Sequence, residues 1–224
     1  LVIAAALTST MIAVPAANAA VSTATTINGT SVTGTASTAP ITVAVPEGNT
    51  IDATHAIKFA LTGLDTGTVV TAVATNANIV PALATSTAPV TASSGSTSLT
   101  INTGTGNTAE FYVYTKTTAI GTVAVTAAGN TNTYYVQGIA GALNSINLSA
   151  PTSGAAGTVQ KITVTGYDVF GNLKSGATIN TLVNNNGVAT ASALTTDSAV
   201  ATFGTKSQDI TLPASGTVTV IAYG

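Results

Sequence analysis

Short runs of Thr, Val, Ile and Tyr recur along this chain about every ten residues, and Gly, Asn, Asp or Ser-Gly clusters break them apart. No window keeps a 3.6-residue apolar period. Extended backbone is therefore the only regular structure these runs favour, because β-branched and aromatic side chains fit a pleated, half-buried surface. The pattern predicts strands over residues 41–45, 56–61, 69–75, 98–101, 110–114, 122–127 and 133–137. A second set is predicted over 145–148, 161–167, 178–183, 199–203, 208–212 and 217–222. Strands at this spacing build an antiparallel sandwich or barrel. The Ala-rich piece at 79–85 fits either a poor strand or a short helix, and Pro81 argues against the helix.

Composition separates this reading from a disordered Ser/Thr stalk. The 224 residues are 45% hydrophobic, enough to bury a core, whereas disorder goes with low hydrophobicity and high charge. Charged residues make up only 5%: five Lys, seven acidic residues and one His, with no Arg and no Cys. Five scattered lysines cannot neutralise a run of phosphates, so nucleic acid is excluded as a partner. They form no patch for an anionic membrane. The absence of Cys removes disulfides, thiolate metal sites and Cys nucleophiles.

Residues 1–14 read LVIAAALTSTMIAV and are followed by Pro15 and then Ala16-Ala17-Asn18-Ala19-Ala20. A short apolar core, a helix breaker and an Ala-x-Ala site describe a secretory signal peptide over 1–19, cut after Ala19. The run is shorter than the roughly 20 apolar residues a membrane span needs. Membrane contact is thus expected only during export, and the mature chain is expected outside the cell. With no initiator Met or basic segment ahead of it, the chain reads as part of a longer frame. Residues 20–39 read as a polar leader.

Two stretches align without a gap. Gly121-Thr122-Val123-Ala124-Val125-Thr126-Ala127-Ala128-Gly129 matches Gly216-Thr217-Val218-Thr219-Val220-Ile221-Ala222-Tyr223-Gly224 in the form Gly-Thr-Val-x-Val-x-Ala-x-Gly. A spacing near 95 residues predicts two copies of one domain type, one over 40–138 and one over 143–224. Residues 110–115 and 199–203 hold similar positions upstream. The first copy continues into a hairpin strand at 133–137. The second is expected to lack that last strand.

Between residues 159 and 179 the chain runs through Asp168-Val169-Phe170-Gly171-Asn172 and then Ser175-Gly176-Ala177 between two strands. This stretch resembles the bacterial immunoglobulin-like repeats of cell-surface and surface-layer proteins. The resemblance covers about twenty residues well, and Leu173 stands where that family often has Pro. It implies a seven-stranded antiparallel sandwich, extracellular and in tandem. The fold class expected is therefore all-β, as two tandem immunoglobulin-like sandwiches.

The turn has a local explanation. Asp168 can accept backbone N–H groups, Gly171 can adopt positive φ and Asn172 tolerates the left-handed region. A calcium reading is weaker, since the ion wants six to eight oxygens and only Asp168 and Asn172 supply any locally. His55 lacks a Gly-x-Ser-x-Gly partner and zinc-ligand neighbours. Asp65 with Glu110 is a poor glycosidase pair, and Gly104-Thr105-Gly106 lacks the Lys and helix of a phosphate loop. No catalytic residue, cofactor or metal is therefore assigned. Asn28 and Asn147 head sequons and are candidate glycan acceptors. Tyr112, Tyr114, Tyr134 and Tyr135 are the only clustered aromatics and the candidate surface for stacking on a ligand. The function expected is a structural surface-layer or stalk component that associates with itself or with other surface components. The alternative is an adhesin or carbohydrate-binding module of a larger secreted protein.

Overall fold

A computed structural model describes residues 24–31, 34–48, 50–83 and 94–224. The predicted signal peptide lies outside them. The fold is all-β. Two five-stranded sheets form one sandwich, and two three-stranded sheets form a second.

The first sandwich is built from β1 (Ala24–Ile27), β2 (Thr30–Ser31), β3 (Ile41–Ala44), β4 (Ile57–Thr62), β5 (Val69–Thr75), β6 (Asn78–Val80), β7 (Ser98–Asn102), β8 (Ala109–Tyr114), β9 (Ile120–Ala127) and β10 (Asn130–Ile139). One sheet has the order β2-β1-β4-β8-β6 and the other β3-β10-β9-β5-β7. All pairs are antiparallel except β3 with β10. Alternation along the strands sends one face inward. In β9, Val123, Val125 and Ala127 are buried while their neighbours are half-exposed. Phe59 and Phe111 stack with centroids 5.1 Å apart, and Tyr134 from the opposite sheet meets Phe59 edge-on at 5.3 Å. These three rings fill the centre of a core otherwise made of Val, Ile, Leu and Ala.

The second sandwich contains β11 (Ser145–Ser149), β12 (Val159–Tyr167), β13 (Thr178–Asn185), β14 (Val188–Thr195), β15 (Thr205–Thr211) and β16 (Val218–Tyr223), in the sheets β11-β12-β15 and β14-β13-β16. Its core is thinner: Ile162, Val164, Ile179 and Val183 are buried, together with Thr181. The Thr181 hydroxyl donates to Gln208 Oε1 across the sandwich (2.9 Å).

Strand-by-strand correspondence links the two units. β4 pairs with β1 and β8, as β12 pairs with β11 and β15. β5 pairs with β7 and β9, as β13 pairs with β14 and β16.

Four expectations need correction. Residues 24–31 of the polar leader form the β1–β2 hairpin, with β1 laddered onto β4. Residues 199–203 are not a strand but carry a short 3-10 turn, Val200–Thr202, and the counterpart of β8 is β15. Strand β14 was not predicted, because it is written largely in Ala alternating with Thr and Ser, and Ala is a poor strand former. Asn186-Gly187 before it, both at positive φ, make a two-residue hairpin turn that was a legible signal. Finally, the first sandwich has ten strands among the described residues rather than seven and includes a parallel pair.

Candidate functional site

The most elaborately bonded place among the described residues is the junction between the sandwiches, and the turn Asp168-Val169-Phe170-Gly171-Asn172 forms its centre. The turn follows β12 and closes on itself. The Asp168 N–H donates to the Asn172 carbonyl (2.9 Å) and the Gly171 N–H to the Asp168 carbonyl (3.1 Å). Asp168 Oδ1 accepts the backbone N–H groups of Phe170 and Asn172, both at 2.9 Å. Gly171 sits at φ +81°, which a side chain would strain.

Asp168 is a buried carboxylate, and burial demands that its lone pairs be used. Besides the two turn amides, Asn172 Nδ2 donates to Oδ2 (2.9 Å), and the Gly141 N–H of the connecting segment donates to Oδ2 (3.2 Å). N–H groups from three residues thus surround the carboxylate. These donors use both carboxylate oxygens to close the turn and to tie it to the connecting segment.

Asn172 carries the contact across the junction. Its Nδ2 donates to the Lys116 carbonyl (2.8 Å), and its Oδ1 accepts the Thr118 N–H (3.2 Å). Both partners lie in the loop between β8 and β9 of the first sandwich. Buried Thr115 shapes that loop: its hydroxyl donates to the Asn76 and Thr117 carbonyls (3.1 and 3.0 Å). Gln137 Nε2 holds the Thr118 carbonyl (2.9 Å). Lys174 Nζ donates to the Ala140 carbonyl of the connector (3.1 Å).

Phe170, at the tip of the turn, packs against a small cluster of Ile51, Ala56, Val80 and Tyr114 in the first sandwich. The Lys116 ammonium lies 5.9 Å from its ring centroid. Sequence reading gave Phe170 no role, since an aromatic in a Gly-containing turn carries no mark of the partner surface it meets.

The other candidates are dispersed. Tyr114 and Tyr134 are buried, so neither can stack on a sugar ring, and burial pushes the Tyr114 phenol pKa up. Tyr112 and Tyr135 are half-buried and sit in different sheets. The four tyrosines therefore make no common platform. Exposed Asn28 turns the β1–β2 hairpin at φ +50°, and its Oδ1 accepts the Lys58 N–H (2.8 Å). Asn147 points outward from β11.

His55 meets Asp52 Oδ1 (2.8 Å) and Thr54 Oγ1 (3.0 Å) through the same ring nitrogen, Nδ1. A catalytic relay needs the two ring nitrogens to face the acid and the nucleophile separately, so this cluster caps a turn. Asp52 is held at a pKa of about 2, first by the Thr54 hydroxyl. Glu110 is ion-paired to Lys58 (2.8 Å).

No family model matches the chain, and no curated protein matches it. Among solved structures it is similar to invasin, described as a bacterial integrin-binding protein, at 17% identity and a TM-score of 0.34, covering 80% of this chain and 34% of that one. It is also similar to InvD of Yersinia pseudotuberculosis at 14% identity and a TM-score of 0.38, covering 90% and 55%. A third similarity is to domains 4–9 of the surface layer protein SbsC at 14% identity and a TM-score of 0.25, covering 78% and 30%. The chain thus spans about a third to about half of these proteins.

Proposed function

We propose that this chain is a structural part of an exported cell-surface protein, in which two immunoglobulin-like sandwiches are held in one fixed orientation to space or assemble other parts. The observation that carries this reading is the junction. A spacer needs a joint that does not swing, and here one buried carboxylate, one amide side chain and one inserted ring tie the turn, the connector and the β8–β9 loop together. Export rests on the signal-peptide reading of residues 1–19, and the surface on the motif at 159–179.

Lateral association is compatible with the surface. Twelve formal charges on 224 residues provide little self-repulsion. The carbohydrate-binding alternative loses its main support with the burial of Tyr114 and Tyr134. The test is immunogold labelling of intact source cells, combined with electron microscopy of the pure mature protein. Surface label and ordered assemblies are the expected result. Label confined to the cell interior, or saturable binding to a glycan array by an unassembled protein, would overturn the reading.

A further inference from the structure

Two Asn-Gly pairs occur in the chain, and both occupy two-residue hairpin turns. Asn28-Gly29 joins β1 to β2, and Asn186-Gly187 joins β13 to β14. All four residues lie at positive φ, and all four are exposed. Asn-Gly favours such turns because both residues tolerate the left-handed region. The pair also carries its own chemistry, since no side chain shields the glycine nitrogen from the asparagine amide carbon. The two turns present that chemistry in different surroundings.

At Asn186 the reacting groups are held. Its Nδ2 donates to the Ser215 carbonyl (2.8 Å), and the Gly187 N–H donates to Asn184 Oδ1 (2.9 Å). The hairpin behind this turn is closed by eight cross-strand pairs. At Asn28 the surroundings act in the opposite sense. Two pairs, Thr26 with Ser31 and Ile27 with Thr30, close the β1–β2 hairpin. A ladder that short opens readily, because so few main-chain bonds hold it. Asn28 Oδ1 accepts the Lys58 N–H (2.8 Å), which draws electron density toward the oxygen and leaves the amide carbon more open to attack. Beyond its chain neighbours, no described atom lies within 4 Å of where a side chain on Gly29 would begin.

We infer that Asn28 is a self-modification site of this protein, where the chain deamidates, while Asn186 is spared. The Gly29 nitrogen gives its proton to hydroxide and attacks Asn28 Cγ. The new C–N bond closes a succinimide ring, the Cγ–Nδ2 bond breaks, and the nitrogen takes up a proton and leaves as ammonia. Water then opens the ring at either carbonyl. One opening gives aspartate. The other gives isoaspartate, in which the main chain runs through the former side chain. Aspartate keeps an acceptor for the Lys58 N–H. Isoaspartate lengthens the turn by one methylene, so the two β1–β2 pairs are lost while the four pairs of β1 with β4 stay in place. Both products add a negative charge to an exposed turn and erase the Asn28-Gly29-Thr30 sequon. A glycan on Nδ2 and this reaction therefore exclude each other.

The test is ageing of the full chain in warm, mildly alkaline heavy-oxygen water, followed by peptide mapping by mass spectrometry. An isoaspartyl methyltransferase assay tells the two products apart. Asn28 is expected to convert, with uptake of one heavy oxygen, at least about tenfold faster than Asn186, since two further side-chain hydrogen bonds must break before Asn186 can cyclise. In the urea-unfolded chain the two sites should convert at similar rates, because their folded surroundings are then gone. Asn184→Ala releases the Gly187 N–H and should speed conversion at Asn186 while leaving Asn28 unchanged. Equal rates in the folded chain, faster conversion at Asn186, or an intact Asn28 over a period in which the unfolded chain converts would each overturn the assignment. So would an Asn184→Ala chain in which Asn186 converts no faster.

Discussion

Replacing Asn172 with alanine should uncouple the two sandwiches while leaving each of them folded. The side chain supplies the two direct hydrogen bonds from the turn to the β8–β9 loop, to the Lys116 carbonyl and from the Thr118 N–H. Each bond contributes about 1 kcal/mol net. Lys116 and Thr118 are half-buried, so water reaches them once the amide is gone and the desolvation penalty of an orphaned group does not apply. The loss is therefore about 2 kcal/mol, which raises the undocked population about thirtyfold. Asp168 keeps its backbone donors from Phe170, Asn172 and Gly141, so the turn itself should persist. Small-angle scattering with NMR relaxation reads the outcome: separate tumbling of the two units in the variant, joint tumbling in the parent. Asn185→Ala, which removes an exposed bond to the Thr211 carbonyl inside the second sandwich, is the control and should leave tumbling unchanged. Joint tumbling in Asn172→Ala at parental amplitude would refute the assignment of Asn172 as the tie.

Phe170→Ala should cost about 1–2 kcal/mol of docking, less than a fully buried ring because Phe170 is half-buried, and should shift the Tyr114 ring resonances while leaving those of Phe59 unchanged. Phe59→Ala removes the ring that contacts both Phe111 and Tyr134 and should destabilise the first sandwich by about 3–5 kcal/mol in chemical denaturation, without altering the midpoint of the second. The Asp52 carboxyl should titrate by NMR near 2. Its folded pKa lies below the ordinary 3.8, so its contribution is complete above 3.8 and disappears as pH falls toward 2; with half the side chain exposed, screening holds it to about 1 kcal/mol or less. Thr181→Val should cost about 1–2 kcal/mol in the second sandwich, measured by urea unfolding, because it leaves Gln208 Oε1 without its buried donor.

Much of the strand plan was legible because strand formation is a local matter in this chain. Val, Thr and Ile at alternate positions and Gly or Asn at the turns announce β5 and β9 whatever surrounds them, and β5 spans the predicted residues 69–75. The likeness of Gly121–Gly129 to Gly216–Gly224 was equally visible, and the strands within them, β9 and β16, pair with β5 and β13 respectively. The turn at Asp168 was read correctly as a turn from its own residues. Its work as a joint was not, since nothing in the five residues says that Lys116, 56 positions before Asn172, waits beside it.

Burial of the tyrosines shows the same boundary. Along β8, Phe111 and Val113 face inward as alternation requires, yet Tyr114 is buried as well, because Phe170 and the segment holding Ile51 and Ala56 cover the outer side of the strand end. The sequence by itself determined which residues extend, where the chain turns and which face of each strand is apolar, since those follow from side-chain shape and backbone freedom within a few residues. Only the tertiary structure decided which apolar faces are closed and which turn becomes a joint, because burial and hydrogen-bond partners depend on what arrives from distant parts of the chain.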